Sequence, residues 1–314
     1  MRPVPRVTIG IPLFNEEDNV PELLRRVRQQ LSELPGGPHT LLLVDDGSSD
    51  RTPLLLEQAA SEMDDVVVVR LSRNFGHQAA ISAALDHAEG DAVILMDGDL
   101  QDDPAAIPRF IAKYREGYDV IYAKRVRRKE GILKRAAYHV FYRVIRRLSE
   151  VPLPLDSGDF SLLSRRVVDA INSATEHHRY VRGLRAWAGF RQVAMDVERH
   201  QRNSGEPKFG LGKLIRLAFD GLFAFSLVPL RLATFLGFLM VFLSGLFGLY
   251  ALAEKVFGDG SPQGFTAVIL AVIMMGGVQL VFLGIIGEYI GRTYNEAKRR
   301  PQYIVDEVFG RDKP

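Results

Sequence analysis

The sequence predicts an α/β fold: a mostly parallel, doubly wound sheet with helices on both faces, followed by interfacial helices and a two-helix transmembrane hairpin. Three observations predict it. Short runs rich in Val, Ile and Leu alternate with longer segments of helical periodicity through the N-terminal part of the chain, the pattern of βα units and a parallel sheet. Each run ends in polar or acidic residues: Asn15 and Glu16, Asp45 and Asp46, Asn74, then Asp97 and Asp99. Near the C-terminus, Leu232 to Ala253 and Gly260 to Gly287 carry no charge, and each is longer than the ~20 residues that span a bilayer core.

The elements follow in order. Val7 to Ile11 reads as a first strand, with Pro12 to Glu17 as its loop. Asn19-Val20-Pro21 opens a helix, proline being suited to the first turn, and Leu23, Leu24, Val27 and Leu31 form its apolar face. Pro35-Gly36-Gly37-Pro38 breaks it. Thr40 to Val44 is a second buried strand, ending in Asp45-Asp46-Gly47-Ser48-Ser49-Asp50, and Thr52-Pro53 starts the next helix. Val66 to Leu71 is a third strand, ending in Ser72-Arg73-Asn74-Phe75-Gly76-His77, with a helix to about Ala88. Ala92 to Met96 and Val120 to Ala123 are further strands, and one more runs from about Gln192 to Val197. The segment from about Leu133 to Leu148 mixes apolar and basic residues, as a helix at a membrane surface or an ordinary amphipathic helix would.

The stretch Asp97-Gly98-Asp99-Leu100-Gln101-Asp102-Asp103-Pro104 organises the rest. Acids gathered at the end of a buried strand repel one another, and a divalent cation would offset that cost. Mg²⁺ and Mn²⁺ prefer oxygen ligands. In a continuing strand Asp97, Asp99 and Gln101 would share a face. An acidic turn capping the next helix is the other reading, and it suits Asp102 and Asp103.

Of 314 residues, 40 are basic and 38 acidic, for a formal charge of +2. That balance carries no nucleic-acid signature. Cysteine is absent, which excludes disulfides and thiolate metal sites. Asn15, Glu16, Glu17 and Asp18 stand where a signal peptide has its apolar core, so no cleavable export signal is expected. His139, His177, His178 and His200 show no metal-ligand spacing, and Trp187 is expected in the core or an interface. Neither G-x-G-x-x-G after the first strand nor G-x-x-x-x-G-K-[ST] anywhere occurs, which argues against dinucleotide and P-loop sites.

Ile11-Pro12-Leu13-Phe14-Asn15-Glu16-Glu17, Val44 to Asp50, Ser72 to Gly76 and Asp97 to Asp102 resemble the GT-A, family 2 glycosyltransferases. More narrowly, the chain resembles the polyprenyl-phosphate glycosyltransferases, among them bactoprenol glucosyltransferase, dolichyl-phosphate mannose synthase and the undecaprenyl-phosphate aminoarabinose transferase. Ser157 to Phe160, Arg182 to Arg191, Ala218 to Gly221 and Gly287 to Arg292 extend the match through the hairpin. The bactoprenol branch is the most similar.

The resemblance implies roles. Pro12, Asn15, Glu16, Asp45, Asp46, Asn74 and Asp97 would bind the donor nucleotide, carboxylates accepting from base and ribose donors. Asp99 and Gln101, with Asp97, would hold Mg²⁺ or Mn²⁺ at the diphosphate. Arg125 would meet the acceptor phosphate, as a bidentate donor suits, helped by Lys134, Arg135, Arg199, Arg202 and Lys208, the last three in a closing basic loop. Asp97, Asp99, Asp159, Arg125 and Arg202 form the expected catalytic set. Asp159 is expected to orient cations or sugar hydroxyls rather than act as a base, because a phosphate monoester, with its second pKa near ~6, is already largely dianionic.

The expected organisation is a cytoplasmic glycosyltransferase domain over 1–210 and an interfacial helix over 211–230. Two spans within 231–291 follow, at about 232–253 and 263–287, and a cytoplasmic tail over 292–314. Arg231 before the hairpin and Arg292, Lys298, Arg299 and Arg300 after it put both termini in the cytoplasm of a bacterial inner membrane by the positive-inside rule. The expected partners are a nucleotide sugar, a polyprenyl phosphate and the membrane, with no nucleic acid. A homo-oligomer, a tetramer among the options, is also expected. The expected reaction is inverting transfer of a hexose, glucose from UDP-glucose first, with GDP-mannose or a UDP-aminoarabinose derivative as alternative donors. A processive polysaccharide synthase would carry Q-x-x-R-W and more spans. A non-catalytic scaffold would not need Asp97, Asp99 and Gln101 together.

Overall fold

The computed structural model describes residues 1–125, 157–174, 176, 179–197, 228–257 and 264–310. It divides into two compact units, Met1–Leu214 with Pro301–Pro314, and Ile215–Arg300.

In the first unit, β1 (Val7–Leu13), α1 (Val20–Glu33), β2 (Thr40–Asp45), α2 (Thr52–Glu62), β3 (Val66–Leu71), α3 (His77–His87), β4 (Ala92–Leu95), α4 (Ile107–Arg115) and β5 (Val120–Arg125) alternate as the hydrophobic pattern requires. Then come β6 (Ser157–Ser164), α5 (Arg165–Ser173), α6 (Val181–Trp187), β7 (Gln192–Val197) and, after the second unit, β8 (Val305–Phe309). The sheet order is β7-β5-β6-β4-β1-β2-β3-β8. The pairs β1/β2, β1/β4, β2/β3 and β5/β7 are parallel. The pairs β4/β6, β5/β6 and β3/β8 are antiparallel, so the sheet is mixed but mostly parallel.

Side chains alternate across each strand, and this divides the core in two. Ile9, Ile11, Leu41, Leu43, Ile94 and Leu162 pack on one face with α1 residues such as Val27 and Leu31. Leu42, Val44, Val93, Leu95 and Leu163 pack on the other with Ile81 and Leu85 of α3 and Val168 of α5. Both faces are covered, as a parallel sheet demands.

Two strands were not expected. Pro152, Pro154 and Gly158 make the stretch before Asp159 read as loop, yet Ser157–Ser164 is β6, inserted antiparallel between β4 and β5. The second lies in the expected tail over 292–314, whose last segment, Pro301 to Pro314, reads as packing on the soluble domain or remaining loose. Val305–Phe309 forms β8 on the open edge of β3, where Arg70 pairs with Asp306 and Glu307 and lies 5.2 Å from the Phe309 ring. An edge covered in this way is closed to further strand pairing.

In the second unit, α7 (Val228–Phe257) and α8 (Phe265–Ala297) are longer than the expected spans. Both are long and apolar enough to cross a membrane. Phe235, Phe238, Val241, Phe242, Val272, Leu280 and Leu283 are exposed, far more apolar surface than water-facing helices tolerate. Val228–Leu230, expected in the interfacial helix, already belongs to α7; the remainder of 211–230 lies outside the described residues, as does the helix expected over 133–148.

Candidate active site

The chain passes from β1 to β2 and β3 on one side, then returns to place β4 on the other side of β1. Such a switch point opens a crevice at the carboxyl ends of the strands. The loops after β1, β2, β3 and β4 all emerge at that edge. Because β6 runs antiparallel to β4, pairing Leu95 with Ser161, the N-terminal end of β6 arrives there too and brings Asp159.

The strand-end loops are bound to one another. Asn15 adopts φ 52°; its Oδ1 accepts from Ser49 N at 2.8 Å, and its own N–H donates to Ser48 Oγ at 2.9 Å. Glu16 N donates to Thr52 Oγ1 at 2.9 Å, and Glu16 Oε2 accepts from Asn19 Nδ2 at 2.6 Å. Gly47 has φ 66°, and a Cβ there would lie 2.4 Å from the carbonyl carbon of Arg73, so only glycine lets the β2 loop meet the β3 loop. At Gly98 a Cβ would lie 2.4 Å from Leu13 Cδ2, the end of a side chain, which would have to shift.

Asp45 and Asp46 differ in use. Both oxygens of Asp46 accept backbone N–H bonds, from Phe75 at 2.8 Å and Gly76 at 3.0 Å, so this acid shapes the loop that starts α3. Asp45 Oδ1 accepts from Ser48 N at 3.1 Å, while its buried Oδ2 has no partner among the described residues. Burial pushes both carboxyls up, since the charged form is disfavoured away from water. Pro12 is buried in β1 beside Val44. Asn74 is exposed, its carbonyl accepting from Arg73 Nη1 at 3.0 Å.

The expectation that Asp97, Asp99 and Gln101 share a face of a continuing strand is corrected. β4 ends at Leu95, and the chain turns, with Gln101 N donating to Asp99 Oδ1 at 3.2 Å and Leu100 at φ 57°. A short acid that accepts from the backbone two residues on favours a turn over a strand. Asp103 caps the next turn by accepting from Ala105 N at 3.0 Å.

Opposite Asp97 stand residues to which the sequence reading gave no role. Arg182, at the start of α6, donates from Nε to Asp159 Oδ1 and from Nη2 to Asp159 Oδ2, both at 2.6 Å. His77, the first residue of α3, places Nε2 3.4 Å from Asp159 Oδ2 and 3.6 Å from Asp97 Oδ1. Burial opposes ionisation of Asp159, but the Arg182 guanidinium outweighs it and holds the carboxyl well below the usual range. For His77, burial would lower the imidazole, while Asp159 and Asp97 more than reverse this and raise it. Burial, together with the charge of Asp159, pushes Asp97 up. His77 and Arg182 lie within the runs Ser72 to His77 and Arg182 to Arg191, where nothing local distinguishes them. Only their convergence on Asp159, across strands far apart in sequence, exposes them.

The donor chemistry fits a hard divalent cation. Asp97, Asp99 and the amide of Gln101 offer oxygen ligands within one turn, and a cation would offset the burial and the Asp159 charge that push Asp97 up. His77, Asp97 and Asp159 also place ligand atoms within 4.8 Å of one another. Arg182 already uses both oxygens of Asp159, so an ion at this second group would compete with that pair.

Arg125 is the last residue of β5. Lys134, Arg135, Arg199, Arg202 and Lys208 lie outside the described residues. Trp187, expected in the core or an interface, is 61% exposed at the end of α6, which leaves the interface.

A strand-end acid cluster at the switch point of a mostly parallel sheet lies where such folds bind their ligands. Residues 8–171 match the model of the Glycosyl transferase family 2 and residues 228–293 that of the GtrB C-terminal hairpin. The chain belongs to glycosyl transferase family 2 and is a glycosyltransferase. An uncharacterized glycosyltransferase of Synechocystis sp. is 40% identical over 305 residues, 97% of this chain and 96% of that one. The prophage bactoprenol glucosyl transferase homolog of Escherichia coli is 34% identical over 96% of this chain and 99% of that one. The bactoprenol glucosyl transferase of Shigella phage SfV is 36% identical over 96% and 98%. A solved mannosyltransferase from Pyrobaculum calidifontis, in complex with GDP-Man and Mn²⁺, aligns at 18% identity and a TM-score of 0.48, over 93% of this chain and 87% of that one.

Proposed function

We propose that this enzyme transfers glucose from UDP-glucose to bactoprenol phosphate at the cytoplasmic face of a membrane, with inversion at the anomeric carbon. One observation carries the reading. Relatives named as bactoprenol glucosyl transferases match the chain nearly end to end, and residues 228–293 match the GtrB C-terminal hairpin model.

In this reading an oxygen of the acceptor phosphate attacks the anomeric carbon, the bond from that carbon to the diphosphate breaks, and UDP leaves with the electron pair. The phosphate is already largely dianionic at neutral pH, with a second pKa near ~6. The step therefore needs positioning more than a base. Asp159 suits an orienting role, because a carboxyl held so far down by Arg182 is a poor proton acceptor near neutrality. Asp45, with a buried carboxylate oxygen unpartnered among the described residues, would accept from the base or ribose. Pro12, Asn15, Glu16, Asp46 and Asn74 would frame that pocket. Arg125, with Lys134, Arg135, Arg199, Arg202 and Lys208, would neutralise the acceptor phosphate. Asp97, Asp99 and Gln101 would hold Mg²⁺ or Mn²⁺, which when bound supplies positive charge to the leaving diphosphate.

The hairpin would keep the catalytic unit beside its lipid substrate, and Arg231, Arg292, Lys298, Arg299 and Arg300 would hold both hairpin ends on the cytoplasmic side. A homo-oligomer formed in the membrane belongs to the same proposal. The test is transfer by the purified enzyme in detergent, given bactoprenol phosphate, Mg²⁺ or Mn²⁺, and a panel of radiolabelled nucleotide sugars. Label from UDP-glucose entering the organic phase supports the whole reading. Label from GDP-mannose or a UDP-aminoarabinose derivative corrects the donor, and none from any donor overturns the reading.

A further inference from the structure

Strand β6 does not run straight past β5. Val120, Ile121 and Tyr122 pair with Leu163, Leu162 and Ser161, but the next pair joins Lys124 to Ser157. Ala123 on β5 therefore faces Gly158, Asp159 and Phe160 on β6. Extra residues in one strand form a bulge, which bends the strand and re-aims its side chains. Asp159 is the middle residue of this one.

A bulge takes carbonyls out of the ladder, and buried carbonyls need donors. Two side chains supply them here. Ser161 Oγ donates to the Asp159 carbonyl at 2.8 Å, and Arg185 Nη1 donates to the Gly158 carbonyl at 3.4 Å. Arg185 comes from α6, one turn beyond Arg182. Its guanidinium carbon lies 4.8 Å from the ring centroid of Tyr122, the last β5 residue in register before the bulge. Gln192 Nε2 donates to the Arg185 carbonyl at 2.9 Å, which ties this part of α6 to the start of β7.

Arg185 is 1% exposed, and its Nε and Nη2 have no hydrogen-bond partner among the described residues. Burial pushes its guanidinium down to about 10. Asp159 is already neutralised by Arg182, so Arg185 is not needed to pair it. A buried cation so poorly partnered costs stability, and an apolar side chain of similar length would fill the space more cheaply. Buried, poorly partnered ionisable groups collect at functional sites.

We infer that Arg185 is a positioning residue: it grips the β6 bulge at Gly158 and Tyr122 and so fixes the backbone that presents Asp159 to the reacting groups. The inference rests on the proposed function, which places Asp159 in the transfer site. Arg185 acts through Asp159 and touches no substrate itself.

The test uses the full chain in detergent, with bactoprenol phosphate, Mg²⁺ and the nucleotide sugar that the unmodified enzyme turns over. Arg185→Met is expected to lower kcat about tenfold to a hundredfold, the range for a displaced orienting group. It should leave KM for the nucleotide sugar within about twofold and melt at or above the unmodified enzyme. Arg185→Lys, which keeps a donor and the charge, should recover part of kcat. In an Asp159→Asn background, Arg185→Met should cost little more, because the two act as a unit. Unchanged kcat in Arg185→Met overturns the inference, as does a full further loss in the Asp159→Asn background. Should Arg185→Met fail to fold, Arg185→Lys decides: unchanged kcat overturns the inference, and reduced kcat with KM and melting retained supports it. No transfer by the unmodified enzyme from any donor overturns the proposed function and this inference with it. Normal transfer by both enzymes overturns the inference alone.

Discussion

Replacing Arg182 with Met leaves Asp159 buried without its main counter-charge, and the structure sets the size of the effect. The Asp159 side chain is 4% exposed, and both of its oxygens are taken by Arg182 at 2.6 Å. Removing one partner of a buried pair costs about 3–5 kcal/mol. His77 at 3.4 Å and the buried Arg185, on which the charge of Asp159 acts, keep part of the compensation. The expected loss is therefore near the lower limit, about 3 kcal/mol. At about 2–4 °C per kcal/mol for a unit of this size, the melting temperature should fall by about 6–12 °C. Thermal unfolding in detergent, followed by circular dichroism, measures it. Asp159→Asn in the Arg182→Met background removes the stranded charge and should recover most of the loss. The pH dependence has a definite sign. In the unmodified enzyme the depressed Asp159 carboxyl gives stability that is present above the unfolded value of about 3.9 and is lost as pH falls through the folded value. In Arg182→Met burial dominates and the folded carboxyl is raised, so that variant gains relative stability on acidification. The gap between the two should narrow from pH 7 towards pH 4. A loss at pH 7 below about 1 kcal/mol, the scale of an exposed pair, would refute the reasoning, as would failure of Asp159→Asn to recover it.

Asp99→Ala should abolish sugar transfer and leave the circular dichroism spectrum and melting unchanged; near-normal activity that still requires added metal would remove Asp99 from the ion site. Gly47→Ala places a Cβ 2.4 Å from the Arg73 backbone at a positive φ, so melting should drop by an amount matching about 1–3 kcal/mol of strain, with a raised KM for the donor. For Asp119, burial would raise the carboxyl, but Arg166 and Arg2 outweigh it and hold it down. Its stabilisation is therefore full above the unfolded value and lost as pH falls through the folded one, and Asp119→Asn should flatten the acid limb of melting temperature against pH. Deleting residues 301–314 uncovers the β3 edge that β8 pairs with; light scattering should show concentration-dependent aggregation that the full chain lacks.

The strands of the sheet's centre were legible because burial on two faces leaves near-continuous apolar runs. Val66–Leu71 and Gln192–Val197 coincide with their expected ranges. Ser157–Ser164 was not legible: three serines, a glycine and an aspartate lie among its eight residues, and the prolines before it signal a loop. Its pairing on both sides, with β4 and β5, is a long-range fact that no local pattern encodes. Val305–Phe309 failed for a different reason. As an edge strand it leaves Asp306 and Glu307 in solvent, so its sequence reads as a polar tail. In the site, the acids after β2 and β4 announced themselves by clustering at strand ends. His77 and Arg182 did not, because each is an ordinary helix residue until Asp159 is set beside it.

By itself, the sequence determined that this protein has an alternating α/β unit with acids at its strand ends and two helices long and apolar enough to cross a membrane. These properties follow from local composition and periodicity, which bury apolar residues and leave charged ones at the ends of elements. Only the tertiary structure decided what each acid does. Asp46 is consumed in shaping a loop, Asp45 keeps a buried carboxylate oxygen unpartnered among the described residues, and Asp159 is locked ionised in a bulge between Arg182 and the grip of Arg185. The physical reason is that a carboxylate's state depends on its burial and on the charges and donors within a few ångströms. In this chain those neighbours come from the loop after β3, from α3, β6 and α6, segments that only folding brings together.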